Sequence, residues 1–294
     1  MVLDKIKRAK YLYNIGGGKN LVISAVNAFR KRIKSFSFNA LYKKKYPTNT
    51  IFIIGFPKSG SSWVMNMFGT IPGFEKFTPA KWGNKILNKW EPVNNLYPGV
   101  FDEFVNYLAV VKGHTYPTKE NIEILKNKNV SYIVTIRDPR DQLISAYWYI
   151  RSRPHHRDYK KVKSLSLNEY ITYKLNSGEH EKEDLNWLRG WVKNITNNGI
   201  IVRYEDIVEN TQVEFNTMLS HLGFNLPLSE INNIIQKNSF ESVSGRKRGQ
   251  ENTNKFVRKG VYGEWKETFS DEQKNTYSRI GEDIINKLNY QPTI

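Results

Sequence analysis

The chain contains no cysteine. Disulfide frameworks, thiolate metal sites and cysteine nucleophiles are therefore excluded, and a reducing or neutral setting is expected. No apolar run approaches the roughly 18–20 residues that a membrane-spanning helix needs. The apolar stretch at 21–29 is interrupted by Ser24 and Asn27, and Arg30, Lys31, Arg32 and Lys34 follow it without a small-residue cleavage site. It reads as an amphipathic helix on the body or on anionic lipid, not as a secretory leader. Acidic residues are scarce, 28 against 45 Lys and Arg, for a net charge of +17. Histidines number five; beside His114, His155 and His156 fall in a polar, Arg-rich loop, His180 in a charged loop and His221 in a helical pattern. There is no spaced histidine–carboxylate cluster, so no metal is expected.

What is present suits a folded enzyme-sized body. The 294 residues are 39% hydrophobic and 25% charged, too apolar for disorder and too polar for a polytopic membrane protein. The charge is uneven: residues 1–50 hold 12 Lys and Arg and one acid, Asp4, whereas the remaining 244 hold 33 basic and 27 acidic residues. A basic leader before an ordinary body predicts an anionic partner such as a membrane surface or nucleic acid, or a solvated extension. Gly16-Gly17-Gly18 breaks the leader and Tyr46-Pro47-Thr48-Asn49 closes it. The expected organisation is a basic, helical N-terminal extension at 1–49 and a single domain at 50–294.

Beyond the leader, short β-branched runs at Ile51–Ile54, Val110-Val111, Tyr132–Ile136 and Ile200–Arg203 alternate with helical spacing. The helical segments include Val64–Phe68, Leu143–Ile150, Tyr170–Leu175, Leu185–Val192 and Val213–Leu222. Strands apolar on both faces belong to a buried parallel sheet, which predicts an α/β, doubly wound sheet flanked by helices. The aperiodic stretch Ser239–Gly260 reads as a long loop, of a length that often serves as a binding lid.

The most informative segment is Gly55-Phe-Pro57-Lys58-Ser59-Gly60-Ser61-Ser62-Trp63, which follows the first strand. A helix beginning near Ser61 would aim unpaired amides, two hydroxyls and the Lys58 ammonium at a bound anion. It is not a Walker A loop, because Gly60 is followed by two serines rather than Lys-Ser/Thr. The order Pro-Lys-Ser-Gly-Ser-Ser-Trp closely resembles the 5′-phosphosulfate loop of the cytosolic-type sulfotransferases, a P-loop-like family.

Two further segments are similar to that family. Arg137-Asp-Pro139 after a strand, with Ser145 eight residues beyond the arginine, resembles its 3′-phosphate signature. Phe256-Val-Arg258-Lys259-Gly260-Val-Tyr-Gly263-Glu264-Trp265 resembles its Arg-Lys-Gly and Gly-Asp/Glu-Trp elements. The likeness runs from about Ile51 to Trp265. It implies transfer of a sulfuryl group from 3′-phosphoadenosine 5′-phosphosulfate (PAPS), without metal, to an acceptor hydroxyl. By the same likeness, Lys58, Ser59, Gly60, Ser61 and Ser62 hold the 5′-phosphosulfate. Arg137 and Ser145 hold the 3′-phosphate, Arg258, Lys259 and Gly260 converge on one phosphate, and Trp63, Tyr204 and Phe240 contact adenine. His114, in Lys112-Gly113-His114, matches the family's general base, with Lys58 and Lys112 stabilising charge. Many relatives have a proline two residues after that histidine, whereas here Pro117 is third.

Two other readings stay open on the residues alone. One is a P-loop-like small-molecule kinase; the other is a non-enzymatic basic protein binding membrane or nucleic acid. The body's ordinary charge balance disfavours nucleic acid, and the expected location is cytoplasmic, with peripheral membrane contact through the basic segment. Segments 72–107 and 151–165 would wall an acceptor pocket. Their aromatics Phe74, Phe77, Trp82, Trp90, Tyr97 and Phe101 suit either an acceptor or the core, and a small alcohol, phenol, lipid or glycan all fit. Many relatives carry a dimer motif beginning Lys-x-x-Phe-Thr-Val; Lys266-Glu-Thr-Phe269-Ser270-Asp271 departs from it, so oligomeric state is left unassigned.

Overall fold

The computed structural model describes residues 26–27, 29–41, 46–79, 82 and 95–294. A helix at 29–41, α1, precedes five strands: β1 (Thr50–Gly55), β2 (Glu75–Phe77), β3 (Ala109–Gly113), β4 (Tyr132–Ile136) and β5 (Gly199–Arg203). They form one all-parallel sheet in the order β2-β3-β1-β4-β5. The short edge strand β2 has no alternation or β-branched run and leaves no trace in the sequence pattern.

The period-two geometry of strands sorts the apolar residues into two cores. Ile51, Ile53, Val110 and Ile133 face one layer, built from α2 (Ser61–Phe68), α8 (Tyr204–Glu209), α9 (Thr211–His221) and α10 (Leu228–Lys237). Phe52, Ile54, Val111 and Val134 face the other. That layer contains α3 (Lys119–Asn127), α4 (Pro139–Arg151), α5 (Tyr159–Lys163), α6 (Leu167–Asn176), α7 (Asn186–Asn194), α12 (Trp265–Thr268) and α13 (Asp271–Lys287). Every residue of β1 is buried, as a central strand covered on both faces requires. The expected doubly wound α/β sheet is the architecture observed.

Three local expectations change. The stretch Ser239–Gly260 is not all loop, because α11 (Phe240–Ser244) opens it, with the Ser239 hydroxyl accepting the Ser242 amide at 3.1 Å. The 151–165 connection contains α5. His180, expected in a charged loop, is fully buried in a widened helical turn, its Nδ1 2.7 Å from Asp184. Trp90 lies outside the described residues, as does most of the apolar stretch at 21–29. Phe74 packs in the core below the α2 layer, far from any acceptor role, while Phe77 packs against Phe104 and Tyr107.

Pro139 occupies the first turn of α4, where its missing amide costs nothing, and Asp138 caps the helix. Arg140, with no exposure, forks onto both Asp138 oxygens at 2.9 and 2.7 Å. It also donates to the Thr293 hydroxyl and the Gln291 carbonyl, and lies 3.6 Å over the Trp265 ring. One guanidinium thus ties the start of α4 to the end of the chain. Replacing Arg140 with Met should strand the Asp138 carboxylate and cost about 3–5 kcal/mol, read as a lower urea midpoint for the full chain.

Candidate active site

The site forms where β1, β3 and β4 end at their carboxyl edge, the position at which open parallel sheets bind ligands. Gly55 closes β1 because a side chain there would collide with Thr135, Ser61 and Ser59. Lys58 then takes a left-handed turn at φ 75°, and Gly60 another at φ 85° beneath the Tyr204 ring. No side chain caps α2; the Trp63 amide bonds the Gly60 carbonyl at 2.8 Å, and the Ser61 and Ser62 amides of the first turn stand at the cavity. Ser59 turns inward: its hydroxyl donates to the Phe56 carbonyl at 2.7 Å and meets Thr135 at 3.1 Å. It braces the loop and is not on the cavity wall.

That cavity, about 410 Å³, is lined by Lys58, Gly60, Ser61, Ser62, Trp63, Lys112, His114, Arg137, Ser145, Tyr204, Phe240, Arg258, Lys259 and Gly260. Every residue expected in the donor site or the chemistry except Ser59 therefore meets in one place. Lys112 donates to the Ser62 hydroxyl at 2.9 Å, joining β3 to the start of α2. Arg137 donates to the Lys58 and Val261 carbonyls at 3.4 and 3.1 Å and sits 4.6 Å over the Tyr204 ring, while its buried Nε has no partner. Trp63 and Tyr204 meet edge to face, and the Trp63 indole donates to the Asn238 carbonyl at 2.8 Å. Arg258 and Lys259 both pair with Glu264.

The cavity's other walls escaped the sequence reading. Tyr149 lies one helical turn beyond Ser145, a spacing that could have pointed to it. Phe256 belongs to the Arg-Lys-Gly segment, and the two rings enclose the Lys58 ammonium at 4.6 and 4.3 Å. Arg248 sits 5.3 Å over Trp63. His156 and Arg157 come from the α4–α5 connection and carry no motif.

Charge is concentrated here. Burial, and then the charges of Arg137, Lys112, Arg153 and Arg258, bring the Lys58 ammonium down to about 7. Burial, and then Lys112, bring His114 down to about 4, opposed by its bond to the Gly55 carbonyl. The imidazole is therefore neutral at pH 7. Its Nδ1–H donates to Gly55, which leaves the lone pair on Nε2.

A second cavity of about 710 Å³ shares Lys58, His114, Tyr149, His156 and Arg157 with the first. Trp82, Tyr97, Tyr116, Tyr170, Asp158 and Glu183 also line it. Of the aromatics anticipated as acceptor walls, Trp82 and Tyr97 thus reach a cavity, and Phe101 is core. Among the described residues no group of three or more His, Asp or Glu side chains could hold a metal.

The family described as the sulfotransferase domain matches residues 48–288. The chain belongs to the sulfotransferase family. Curated relatives agree with this. The chain is 24% identical to mouse Sulfotransferase 1 family member D1 over 254 residues, covering 81% of this chain and 83% of that protein. It is 23% identical to the rabbit amine sulfotransferase, covering 78% of each. Among solved structures, mouse sulfotransferase SULT7A1 complexed with PAP superposes with a TM-score of 0.62 at 18% identity, over 81% of this chain and 84% of that one. The sulfotransferase assignment displaces the kinase and binding-protein readings.

The Lys58 titration has a sign that can be checked. Only the ammonium attracts an anion, so an anionic ligand draws a proton onto Lys58 when the pH is above about 7. Calorimetry with the probe 3′,5′-ADP, in buffers of different ionisation enthalpy at pH 8, should show proton uptake and an affinity that falls from pH 6.5 to 9. Lys58→Met should abolish the uptake and flatten the pH dependence.

Proposed function

We propose that this sulfotransferase moves a sulfuryl group from PAPS to an acceptor hydroxyl, with 3′,5′-ADP as the other product. The supporting observation is that two cavities meet at His114 and Lys58, one lined by cations and purine-sized aromatic faces, the other by tyrosines and mixed charges. The first suits the nucleotide, with adenine between Trp63, Tyr204 and Phe240. Ser145, Arg137, Arg258, Lys259 and the Gly260 turn suit its 3′-phosphate. Ser61, Ser62, Lys112 and the α2 amides suit the 5′-phosphosulfate, and Ser59 acts through the shape of the loop. The second suits the acceptor.

In this reading the acceptor oxygen attacks sulfur and forms the new S–O bond as the bond to the bridging phosphate oxygen breaks. His114 Nε2 takes the acceptor's proton, for which a neutral imidazole is required. Lys58 offsets charge on the leaving phosphate oxygen, and Lys112 with Ser62 holds the sulfuryl oxygens. Donors fixed in advance where charge develops are the largest contribution expected in such a site. The chain's own cations fill this role, so no metal is invoked, and no nucleic-acid partner is assigned. The absence of cysteine and the likeness to cytosolic-type relatives support a cytoplasmic location.

Titration of 3′,5′-ADP without metal, beside ATP with Mg²⁺, tests the donor site. Tight 3′,5′-ADP binding is expected, weakened about 10–100-fold in Arg137→Ala, the loss typical of one or two charge-assisted hydrogen bonds. Preference for Mg-ATP, or no nucleotide binding, would overturn the assignment. With labelled donor and an acceptor panel, His114→Ala should lower kcat about 10²–10⁴-fold while leaving 3′,5′-ADP affinity unchanged.

A further inference from the structure

Helix α1 is inside out. Its fully buried residues are polar, with Phe38 half-buried beside them: Ser35 has no exposure and donates to the Leu108 carbonyl at 3.0 Å, and Asn39 is 6% exposed. Lys34 bonds Glu75 at 2.9 Å, Lys31 lies 4.7 Å over the Phe77 ring, and Phe38 packs at Gly73. The opposite side carries Val26, Phe29, Ile33 and Phe36, in steps of three and four, with Leu41 beyond them. All five are exposed, Phe29 by 66% and Leu41 by 76%. Arg30 and Arg32, also exposed, lie between them in sequence. A helix docked for packing alone turns its apolar stripe inward; this one holds it away from the body.

We propose that the outer face of α1 docks the enzyme on an anionic lipid bilayer, lying in the headgroup plane. Charge complementarity selects this occupant. The first 50 residues carry 12 Lys and Arg against Asp4 alone, so the face sits in a field that attracts acidic headgroups. The same field repels a second copy of this helix, and it repels residues 1–25, which are themselves basic. Nucleic acid would satisfy the cations but leave two phenylalanines and an isoleucine against phosphate. An interfacial bilayer takes both kinds of side chain, rings and branched chains below the headgroups and guanidinium groups among them. Among the described residues no helix is long and apolar enough to cross a membrane. None of these side chains is in the catalytic site, and the proposal stands apart from the choice of acceptor.

The test is co-sedimentation of the full chain with vesicles of phosphatidylcholine alone and with roughly 30% phosphatidylserine. Binding is expected only to the anionic vesicles. It should fall steeply when salt rises from about 0.1 to 1 M, which shortens the screening length from about 10 to 3 Å. The triple variant F29S/I33S/F36S should lose about tenfold or more of the bound fraction while keeping its melting temperature and its affinity for 3′,5′-ADP. Arg30→Gln with Arg32→Gln should weaken binding without removing it. No binding by the wild-type chain, or equal binding by wild type and triple variant, overturns the proposal. So does concentration-dependent dimerisation that the triple variant abolishes, or retention by RNA at salt concentrations where vesicles are released.

Discussion

The site depends on holding several cations together in partly buried space before any anion arrives. Lys58, Lys112, Arg137 and Arg258 converge on one cavity, and both desolvation and mutual repulsion oppose that arrangement. The chain offsets the cost with groups that screen charge without neutralising most of it. Two aromatic faces enclose Lys58, a hydroxyl receives Lys112, and backbone carbonyls receive Arg137. Glu264 and Glu251 are the exceptions, Glu264 pairing with Arg258 and Lys259 and Glu251 with Arg258. The interior therefore keeps a positive potential.

Helix α4 organises the rest. Its first residues leave β4 beside Arg137, and its middle presents Ser145 and Tyr149 to the cavity. Asp141, in its first turn, accepts the amides of Gly263 and Trp265, so the loop bearing Arg258 and Lys259 is pinned to α4. Burial pushes the Asp141 carboxyl up while Arg137 pulls it down, linking the loop anchor to Arg137. Tyr204 and Glu205, at the end of β5, complete the frame: Glu205 accepts the Asp138 amide at 2.9 Å and the Tyr290 hydroxyl at 3.0 Å. The cavity wall at Tyr204, the loop bearing Arg258 and the C-terminal segment are thus one connected structure.

Where a residue's role follows from its immediate neighbours, the sequence sufficed. β4 and the start of α2 fall where the apolar run and the Gly60 turn place them, because a buried strand and a left-handed entry are local demands. The three segments that meet at the cavity were legible for the same reason, each pairing a strand end or a turn with cations. Ser59 was less transparent: its hydroxyl has the right chemistry for a phosphate, but only the packing of Thr135 against the loop turns it inward. His180 was misjudged because its neighbours in sequence are charged while its neighbours in space are Asp184 and Tyr277.

By itself the sequence determined the sulfotransferase signature, the parallel sheet and which cations and imidazole stand at strand ends and turns, since these rest on short-range patterns of polarity and turn. Only the tertiary structure decided that His114 is a buried neutral imidazole oriented by Gly55, that Tyr149 and Phe256 sandwich Lys58, and that a second cavity opens at the same two residues. It also decided which way α1 faces. Periodicity identifies an amphipathic helix, but which side is buried depends on what the body offers it, and here that is the Leu108 carbonyl and Glu75.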